Sequence, residues 1–233
     1  MQAVILAGGL GTRLHSVVSN RPKAMATVAG RPFIDHQLEL LRRQNITDVV
    51  MCVGYLARHI EEHVGDGATF GLAVRYSRED PRQLLGTGGA ILNASRLLSD
   101  EFFLMYGDSY LTVDFATVQV WNRARKFSAV MTVLKNRDQW DRSNVRIAGD
   151  HVTFYQKNAA LGECDYIDYG LSLFRRGIVE RYRDASLPLD LGSIQRDLVA
   201  SGEMGAFEVM DRFYEIGTPV GLMSLNEHLK RRG

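Results

Sequence analysis

Cysteine is scarce in this chain of 233 residues, and so are strong net charge and long apolar runs. The two cysteines, Cys52 and Cys164, are far apart and outside any CxxC pattern, so the sequence predicts buried reduced thiols and no disulfide framework. The net charge of +1 gives no field that would attract nucleic acid. No stretch approaches the roughly 18 apolar residues of a membrane-spanning helix, and no basic segment precedes the first apolar run. These absences predict a cytoplasmic protein with neither a nucleic-acid nor a membrane partner.

Low-complexity linkers and internal repeats are also absent, and apolar strand patterns alternate with helical ones. The segment "DVVMCV" at 48–53 is apolar throughout, as is typical of a central parallel strand, whereas "FIDHQLELLRRQ" at 33–44 has helical spacing. The pattern over residues 1–135 predicts repeated β-α units and therefore a doubly wound α/β sheet. From residue 136 onward shorter strands dominate, among them a hairpin that turns at Gly149-Asp150.

A glycine-rich loop, "AGGLGTR" at 7–13, follows the first strand. Such a loop lies at the carboxyl edge of the sheet, where glycines let backbone N–H groups approach an anion. The loop lacks the Lys-Ser or Lys-Thr of a Walker A motif, and Leu14 stands where a GxGxxG dinucleotide motif needs its third glycine. A nucleoside triphosphate cradle with two separate cations, Arg13 and Lys23, fits the pattern better. A plain tight turn with a surface arginine is the remaining alternative.

Further motifs follow in order along nearly the whole chain. They are "GGLGTRL" at 8–14 with "PK" at 22–23, "LGTGGA" at 85–90, "YGDS" at 106–109, "FYQK" at 154–157, "YIDYGLSLF" at 166–174 and "YEIGTP" at 214–219. Together they resemble the motifs of sugar-1-phosphate nucleotidyltransferases. The chain is most similar to the heptose-1-phosphate guanylyltransferases and the muramate-1-phosphate uridylyltransferases of that family.

The resemblance implies a fold and a reaction. The fold would be one nucleotidyltransferase domain over 1–233, a three-layer Rossmann-like, doubly wound, mostly parallel mixed α/β sheet with helices on both faces and no appended β-helix. Residues 1–135 would bind mainly the nucleotide and 136–233 mainly the sugar. The substrates would be an NTP and a sugar 1-phosphate, which react by in-line attack at the α-phosphate to give an NDP-sugar and pyrophosphate.

A phosphate oxygen is already an anionic nucleophile, so this reaction needs positioning and charge neutralisation and no general base. The sequence accordingly shows no Ser-His-Asp or Cys-His constellation. GTP with a heptose or hexose 1-phosphate ranks first among the substrates. A uridylyl- or cytidylyltransferase on another sugar 1-phosphate and a non-catalytic nucleotide-sugar-binding regulator are the alternatives, and a homodimer stays open.

The resemblance also assigns nucleotide-binding residues. Arg13 would take the β- or γ-phosphate and Lys23 the α-phosphate, which makes these two cations the catalytic residues. The residues expected to bind the nucleotide are Leu6, Ala7, Gly8, Gly9, Gly11, Thr12, Gln83 and Gly88.

The metal expected from the family is Mg²⁺, which prefers carboxylate and phosphate oxygens. Asp108 follows a predicted strand end beside Gly107, and the resemblance makes it the first ligand. Glu215, which stands where the family has an aspartate, would be the second ligand or would orient Lys23.

The residues expected to bind the sugar phosphate are Gly107, Lys157, Glu163, Asp168 and Gly170. Lys157 lacks the neighbours of the family's EKP motif, because Gln156 and Asn158 flank it here. Tyr169, which replaces a small residue, would narrow the sugar pocket or stack on a face of the sugar.

Overall fold

A nine-stranded sheet forms the centre of the structure, a computed structural model that describes residues 1–9 and 21–231. The strands are β1 (Gln2–Leu6), β2 (Thr27–Val28), β3 (Arg31–Pro32), β4 (Asp48–Val53), β5 (Ala73–Arg78), β6 (Glu101–Tyr106), β7 (Ser109–Tyr110), β8 (Ala129–Lys135), β9 (Val145–Ala148), β10 (His151–Tyr155), β11 (Tyr166–Arg175), β12 (Met204–Val209) and β13 (Tyr214–Glu215). The α-helices are α1 (Phe33–Arg43), α2 (Ala57–Val64), α3 (Gly86–Asn93), α4 (Phe115–Arg125), α5 (Arg176–Arg181), α6 (Leu191–Ala200) and α7 (Pro219–Lys230). In these described ranges, every helix is too short or too polar to span a membrane.

The order of the strands in the sheet is β5-β4-β1-β6-β11-β8-β12-β10-β9. The first four run parallel, as the alternating pattern predicts, and β8 is parallel to β12. Strand β11 lies antiparallel between β6 and β8, so strands from both halves of the chain share one sheet. The predicted α/β fold is therefore confirmed, but the sheet is more evenly mixed than expected. The reason is that β9, β10 and β11 follow one another without a helix, and antiparallel strands need no helical crossover.

Two apolar clusters pack the two faces of this sheet. Successive side chains of a strand point to opposite faces, and accordingly Ala3 and Ile5 belong to one cluster while Val4 belongs to the other. The first cluster includes the buried faces of α1, α2, α4 and α7, and the second includes those of α3, α5 and α6. The helices thus form a layer on each face, which leaves the strand ends as the open edge for a site.

A close packing of β12 on the loop after α4 generates a test of this fold. A Cβ built on Gly205 would lie 2.5 Å from Cδ2 of Phe127, whose ring stacks on Trp121 at 5.8 Å between centroids. Gly205→Ala should therefore push an aromatic pair apart and lower the free energy of unfolding by roughly 1–3 kcal/mol.

Gly177 in α5 provides the control, because a Cβ there meets nothing within 4 Å. Gly177→Ala should raise the free energy of unfolding by about 0.5 kcal/mol, since alanine loses less backbone entropy in a helix. Urea unfolding of both variants makes the comparison. Equal stability of Gly205→Ala and the parent chain would contradict the packing described here.

Candidate active site

A cavity of about 360 Å³ opens where β1, β4, β5 and β6 end. Its size is that of a ligand pocket, and its position at the carboxyl edge of parallel strands is where α/β sheets bind ligands. The lining includes the predicted residues Leu6, Ala7, Gly8, Gly9, Lys23, Gly107 and Asp108, together with Cys52, Glu79, Leu84, Gly86 and Thr87.

Two glycines let the chain segments at this edge approach one another closely. A Cβ on Gly107 would lie 2.6 Å from the carbonyl oxygen of Leu6, and the Gly107 N–H donates a 2.9 Å hydrogen bond to that same oxygen. A Cβ on Gly8 would lie 2.6 Å from Oε1 of Glu79. Gly8 and Gly107 therefore allow the segments that border the cavity to pack closely against one another.

An ion pair joins the two predicted charged groups at this edge. The Lys23 ammonium donates a 2.6 Å hydrogen bond to Oδ2 of Asp108, and both side chains are mostly buried, with 16% and 27% of their surfaces exposed. Pro22 precedes Lys23 in an extended conformation, and Ala24 after it is buried, so the backbone on both sides of the lysine is held. A Cβ on Gly217 would lie 3.4 Å from Nζ of Lys23 and 3.2 Å from Oε1 of Glu215. Gly217 is therefore next to both side chains, and Glu215 lies close to the ion pair.

A second cavity, of about 550 Å³, adjoins the first across three shared residues, Thr87, Tyr106 and Asp108. Its lining includes the predicted residues Lys157, Asp168, Gly170 and Glu215, together with Asp141, Arg142, Asn144, Tyr155, Asp190 and Phe213. The structure thus brings predicted nucleotide residues to one cavity and the predicted sugar residues Lys157, Asp168 and Gly170 to its neighbour, with Asp108 lining both. Gly107, also predicted to bind the sugar phosphate, lines the first cavity and not the second.

Asp168 reaches the second cavity from an irregular stretch of β11. The register of β11 against β8 shifts between Asp168 and Ser172, and Gly170 within that stretch has a positive φ of 93°. The Gly170 N–H donates a 2.9 Å hydrogen bond to Oδ1 of Asp168. Burial raises the pKa of Asp168 to about 6, while this N–H, the Gln195 amide and the charge of Lys157 act in the opposite direction.

The ring of Tyr169 packs in the interior of the protein. Its ring is fully buried and lies at 5.7 Å from the ring of Phe213 in an edge-on arrangement. Its hydroxyl is within 3.1 Å of the backbone nitrogen of Thr112 and 3.0 Å of the hydroxyl of the same residue. Tyr169 is one of the residues that line the second cavity, so its expected role in narrowing the sugar pocket stays a prediction. Stacking of its ring on a sugar does not fit this burial, because the alternation of β11 turns Tyr169 to the face opposite Asp168.

Three predicted residues of the described chain, Glu163, Gln83 and Gly88, lie outside the linings of both cavities. Glu163 pairs with Arg146 at 3.1 Å and accepts the N–H of Ala160 at 2.9 Å, so a neighbouring strand and its own loop hold it away. Gln83 is exposed and its backbone N–H closes a turn on the carbonyl of Asp80. The structure does not bring Glu163 or Gln83 to the candidate site.

Gly88 has a different role from the one expected. The N–H groups of Gly88 and Gly89 both donate to the carbonyl oxygen of Leu189, at 2.8 and 3.1 Å, so these amides are not available to a base. A Cβ on Gly88 would lie 2.9 Å from Cγ of Leu189, and one on Gly86 would lie 2.4 Å from its carbonyl oxygen. These glycines allow the segment before α6 to pack against the start of α3. The predicted residues Gly11, Thr12 and Arg13 lie outside the described part of the chain.

Three acidic residues at the cavities, Glu79, Asp141 and Asp190, were missed from the sequence. Glu79 directly follows β5 and lines the first cavity, where its Oε2 accepts the N–H of Leu85 at 3.1 Å. Asp190 caps α6 and accepts the hydroxyl of Thr87 at 2.9 Å. The position of Glu79 just after a strand, which is the same signal that singled out Asp108, could have identified it.

Comparison with known proteins agrees with this geometry. The model of the family described as Nucleotidyl transferase matches residues 2–231. D-glycero-α-D-manno-heptose 1-phosphate guanylyltransferase from Aneurinibacillus thermoaerophilus is 34% identical over 182 residues, which cover 77% of each chain. The protein of the same name from Campylobacter jejuni is 34% identical over 142 residues, and the match spans only 61% of each chain. The crystal structure of HddC from Yersinia pseudotuberculosis complexed with GMP-PN superposes with a TM-score of 0.80 at 25% identity, over 98% of this chain and 99% of that one.

The environment of Asp168 generates a stability prediction. Its folded pKa of about 6 lies above the ordinary value of 3.8, so the folded state binds this proton more tightly than the unfolded chain. The contribution of Asp168 to the free energy of unfolding therefore falls as the pH rises from about 4 to about 6 and stays low above that. Asp168→Asn, which keeps the acceptor for Gly170, should be more stable than the parent by roughly 2–3 kcal/mol at pH 8 and by much less at pH 4.

Urea unfolding at the two pH values measures this difference. Asp165→Asn is the control, because Asp165 is exposed and lies outside the cavity lining. An Asp168→Asn chain that is no more stable than the parent at pH 8 would rule out a buried charge at this position.

Proposed function

The chain belongs to the nucleotidyl transferase family, as the resemblance of its motifs predicted, and we propose that it joins GTP and a heptose or hexose 1-phosphate. The products are the GDP-sugar and pyrophosphate. The observation that carries the proposal is the Lys23–Asp108 ion pair, which lies where the two cavities meet. A triphosphate in the first cavity and a sugar phosphate in the second would bring their reacting phosphorus and oxygen atoms together at this pair.

The residues at this junction act through position and charge. A sugar-phosphate oxygen attacks the α-phosphorus of GTP, the bond from this phosphorus to the bridging oxygen of pyrophosphate breaks, and no proton has to move. Lys23 shifts from Asp108 towards the α-phosphate and neutralises the charge on its non-bridging oxygens as the bonds are exchanged. Gly8 and Gly9 offer backbone N–H groups to the triphosphate, and Arg13 takes the β- or γ-phosphate.

Mg²⁺ fits the donor set at this junction. The carboxylates of Asp108 and Glu215 border the same cavity, and Mg²⁺ is commonly held by one or two carboxylates with substrate phosphates and water. Within residues 1–9 and 21–231 no three His, Cys, Asp or Glu side chains form a ready metal cluster, so phosphate and water would complete the shell. When bound, the ion would neutralise charge on the departing pyrophosphate.

Glu79 supports guanine as the base. Its carboxylate lines the first cavity, is paired with no cation in the described part of the chain, and adds to the burial that raises the pKa of the neighbouring Cys52 thiol to about 12. A carboxylate accepts hydrogen bonds only, and guanine offers two adjacent donors, its N1–H and its 2-amino group. Uracil and thymine offer a single N–H between two carbonyl oxygens, which a carboxylate would repel. The guanylyltransferase relatives agree with this choice.

The lining of the second cavity supports a sugar 1-phosphate as the second substrate, and the names of the relatives suggest the manno configuration. Lys157 would neutralise the sugar phosphate, while Asp168 and the backbone at Gly170 would hold sugar hydroxyls. Gly107 would let the phosphate approach the end of β6. The names of both heptose relatives describe a sugar with the manno configuration, which α-D-mannose 1-phosphate shares.

The proposed role of Glu79 predicts how the enzyme distinguishes GTP from ITP, which lacks the 2-amino group. One hydrogen bond to a charged acceptor corresponds to roughly 10- to 100-fold in kcat/KM, so the parent should prefer GTP over ITP by about that factor. Glu79→Gln keeps an acceptor for Leu85 but loses the charge, and the preference should shrink to a few-fold. Pyrophosphate release with α-D-mannose 1-phosphate and Mg²⁺ measures both nucleotides, with UTP, CTP and dTTP in parallel.

Asp80→Asn serves as the matched control, because Asp80 is next in sequence but faces Arg82 at 2.9 Å and lies outside the cavity lining. It should leave the GTP-to-ITP ratio unchanged. If Glu79→Gln lowers turnover of both nucleotides by the same factor, Glu79 positions the segment at Leu85 and does not bind the base. If UTP is the best substrate of the parent chain, the proposal of GTP is wrong.

A further inference from the structure

We propose that the second cavity selects sugar 1-phosphates whose sugar carries no acidic group, and that Asp168 and Asp190 enforce this selection. The inference rests on the proposed function and adds the class of sugar that the site refuses. It separates this chain from a muramate-type enzyme, whose sugar carries a carboxylate.

Asp168 presents a fixed negative charge to the cavity. The positive φ of Gly170 turns the strand so that its N–H donates to Oδ1 of Asp168 at 2.9 Å, and the backbone N–H of Asp168 donates to Oδ1 of Asn144 at the same distance. The first bond holds the carboxylate of Asp168 and the second holds its backbone, so both favour the orientation in which the carboxylate borders the cavity.

Asp190 presents a second fixed charge from the opposite chain segment. Its Oδ1 accepts the hydroxyl of Thr87 at 2.9 Å and the N–H of Gly192 at 3.1 Å, which ties it to α3 and to the start of α6. Its Oδ2 lies 3.8 Å from Nζ of Lys157. Asp190 is therefore held by two backbone segments and one cation.

The two carboxylates act on the same space. Burial raises the pKa of the Tyr106 phenol and of the Tyr155 phenol, and the charges of both Asp168 and Asp190 raise them further. All four side chains also line the second cavity. Phenol groups that stay protonated beside carboxylates form an array of donors and acceptors, which suits the hydroxyl groups of a neutral sugar.

The balance of charge in the lining opposes an acidic sugar. Among the described residues that line the second cavity, five are acidic and two are basic, the basic ones being Arg142 and Lys157. Asp108 is paired with Lys23, and Asp108 and Glu215 are the proposed Mg²⁺ ligands, so Asp141, Asp168 and Asp190 are the acidic residues left to act on the sugar. Lys157 is already beside Asp190 and is the proposed partner of the sugar phosphate. Arg142 is exposed and follows Asp141, another acidic residue of the lining. A carboxylate on the sugar would therefore add a further anion beside Asp168 and Asp190.

A matched pair of sugars tests this selection. α-D-Mannose 1-phosphate and α-D-mannuronate 1-phosphate differ only in the carboxylate at C6, and N-acetylmuramate 1-phosphate places a carboxylate at another position. The parent enzyme should use the neutral sugar with GTP at least about 100-fold more efficiently than either acid, because like charges in an interface are strongly unfavourable. Asp168→Asn or Asp190→Asn should each reduce that ratio by about tenfold, and Asp165→Asn should leave it unchanged.

Binding titrations with the two mannose derivatives measure the preference for the neutral sugar as a ratio of dissociation constants. This ratio does not depend on turnover, so it tests the inference separately from the proposed function. A chain that prefers the neutral sugar in binding but releases no pyrophosphate with it would overturn the proposed function and support the inference. A parent chain that binds and uses both sugars equally well would overturn the inference, and so would Asn variants that weaken both sugars by one common factor.

Discussion

The ion pair between Lys23 and Asp108 is the contact on which the proposed site depends. It joins the segment after the glycine loop to the end of β6, at 2.6 Å, where the two cavities meet. Its position follows from the sheet, because the parallel strands β1 and β6 end side by side and Gly107 allows their backbones to approach within a hydrogen bond. A lysine held by a carboxylate needs little movement to meet a phosphate, which is how a preorganised charge lowers a barrier.

At the second cavity, a residue that suits the binding of a ligand can lower the stability of the fold. Asp168 and Asp190 are anchored by backbone N–H groups and by Thr87, which makes them the fixed acceptors that the proposed sugar site needs for hydroxyl groups. Burial of Asp168 raises its pKa to about 6, which means that its ionised form destabilises the folded chain near neutral pH. Such a charge is expected where recognition, rather than stability, selects the residue.

Features that are local in sequence were predictable, and those made by distant segments were not. Lys23, Gly107 and Asp108 lie in short motifs, "PK" and "YGDS", whose resemblance to those of the family singled them out, and a strand end beside Asp108 pointed to the same place. The N–H of Gly88 donates to Leu189, and Glu163 is held outside the cavities by Arg146, a residue of β9. Both partners are distant in sequence, so neither contact could be inferred from neighbouring residues. The alternating pattern of strands and helices predicted the parallel part of the sheet. The position of β11 between β6 and β8 depends on long-range strand pairing, which the local sequence does not indicate.

The most direct measurement of the central claim compares turnover and GTP affinity in Lys23→Ala. If Lys23 meets the α-phosphate mainly as bonds are exchanged, kcat should fall by about 100-fold or more while the dissociation constant of GTP, measured by calorimetric titration, stays within about tenfold of the parent. A variant that turns over normally would contradict the account. So would a folded variant that loses all GTP binding, because Lys23 would then hold the substrate rather than the transition state.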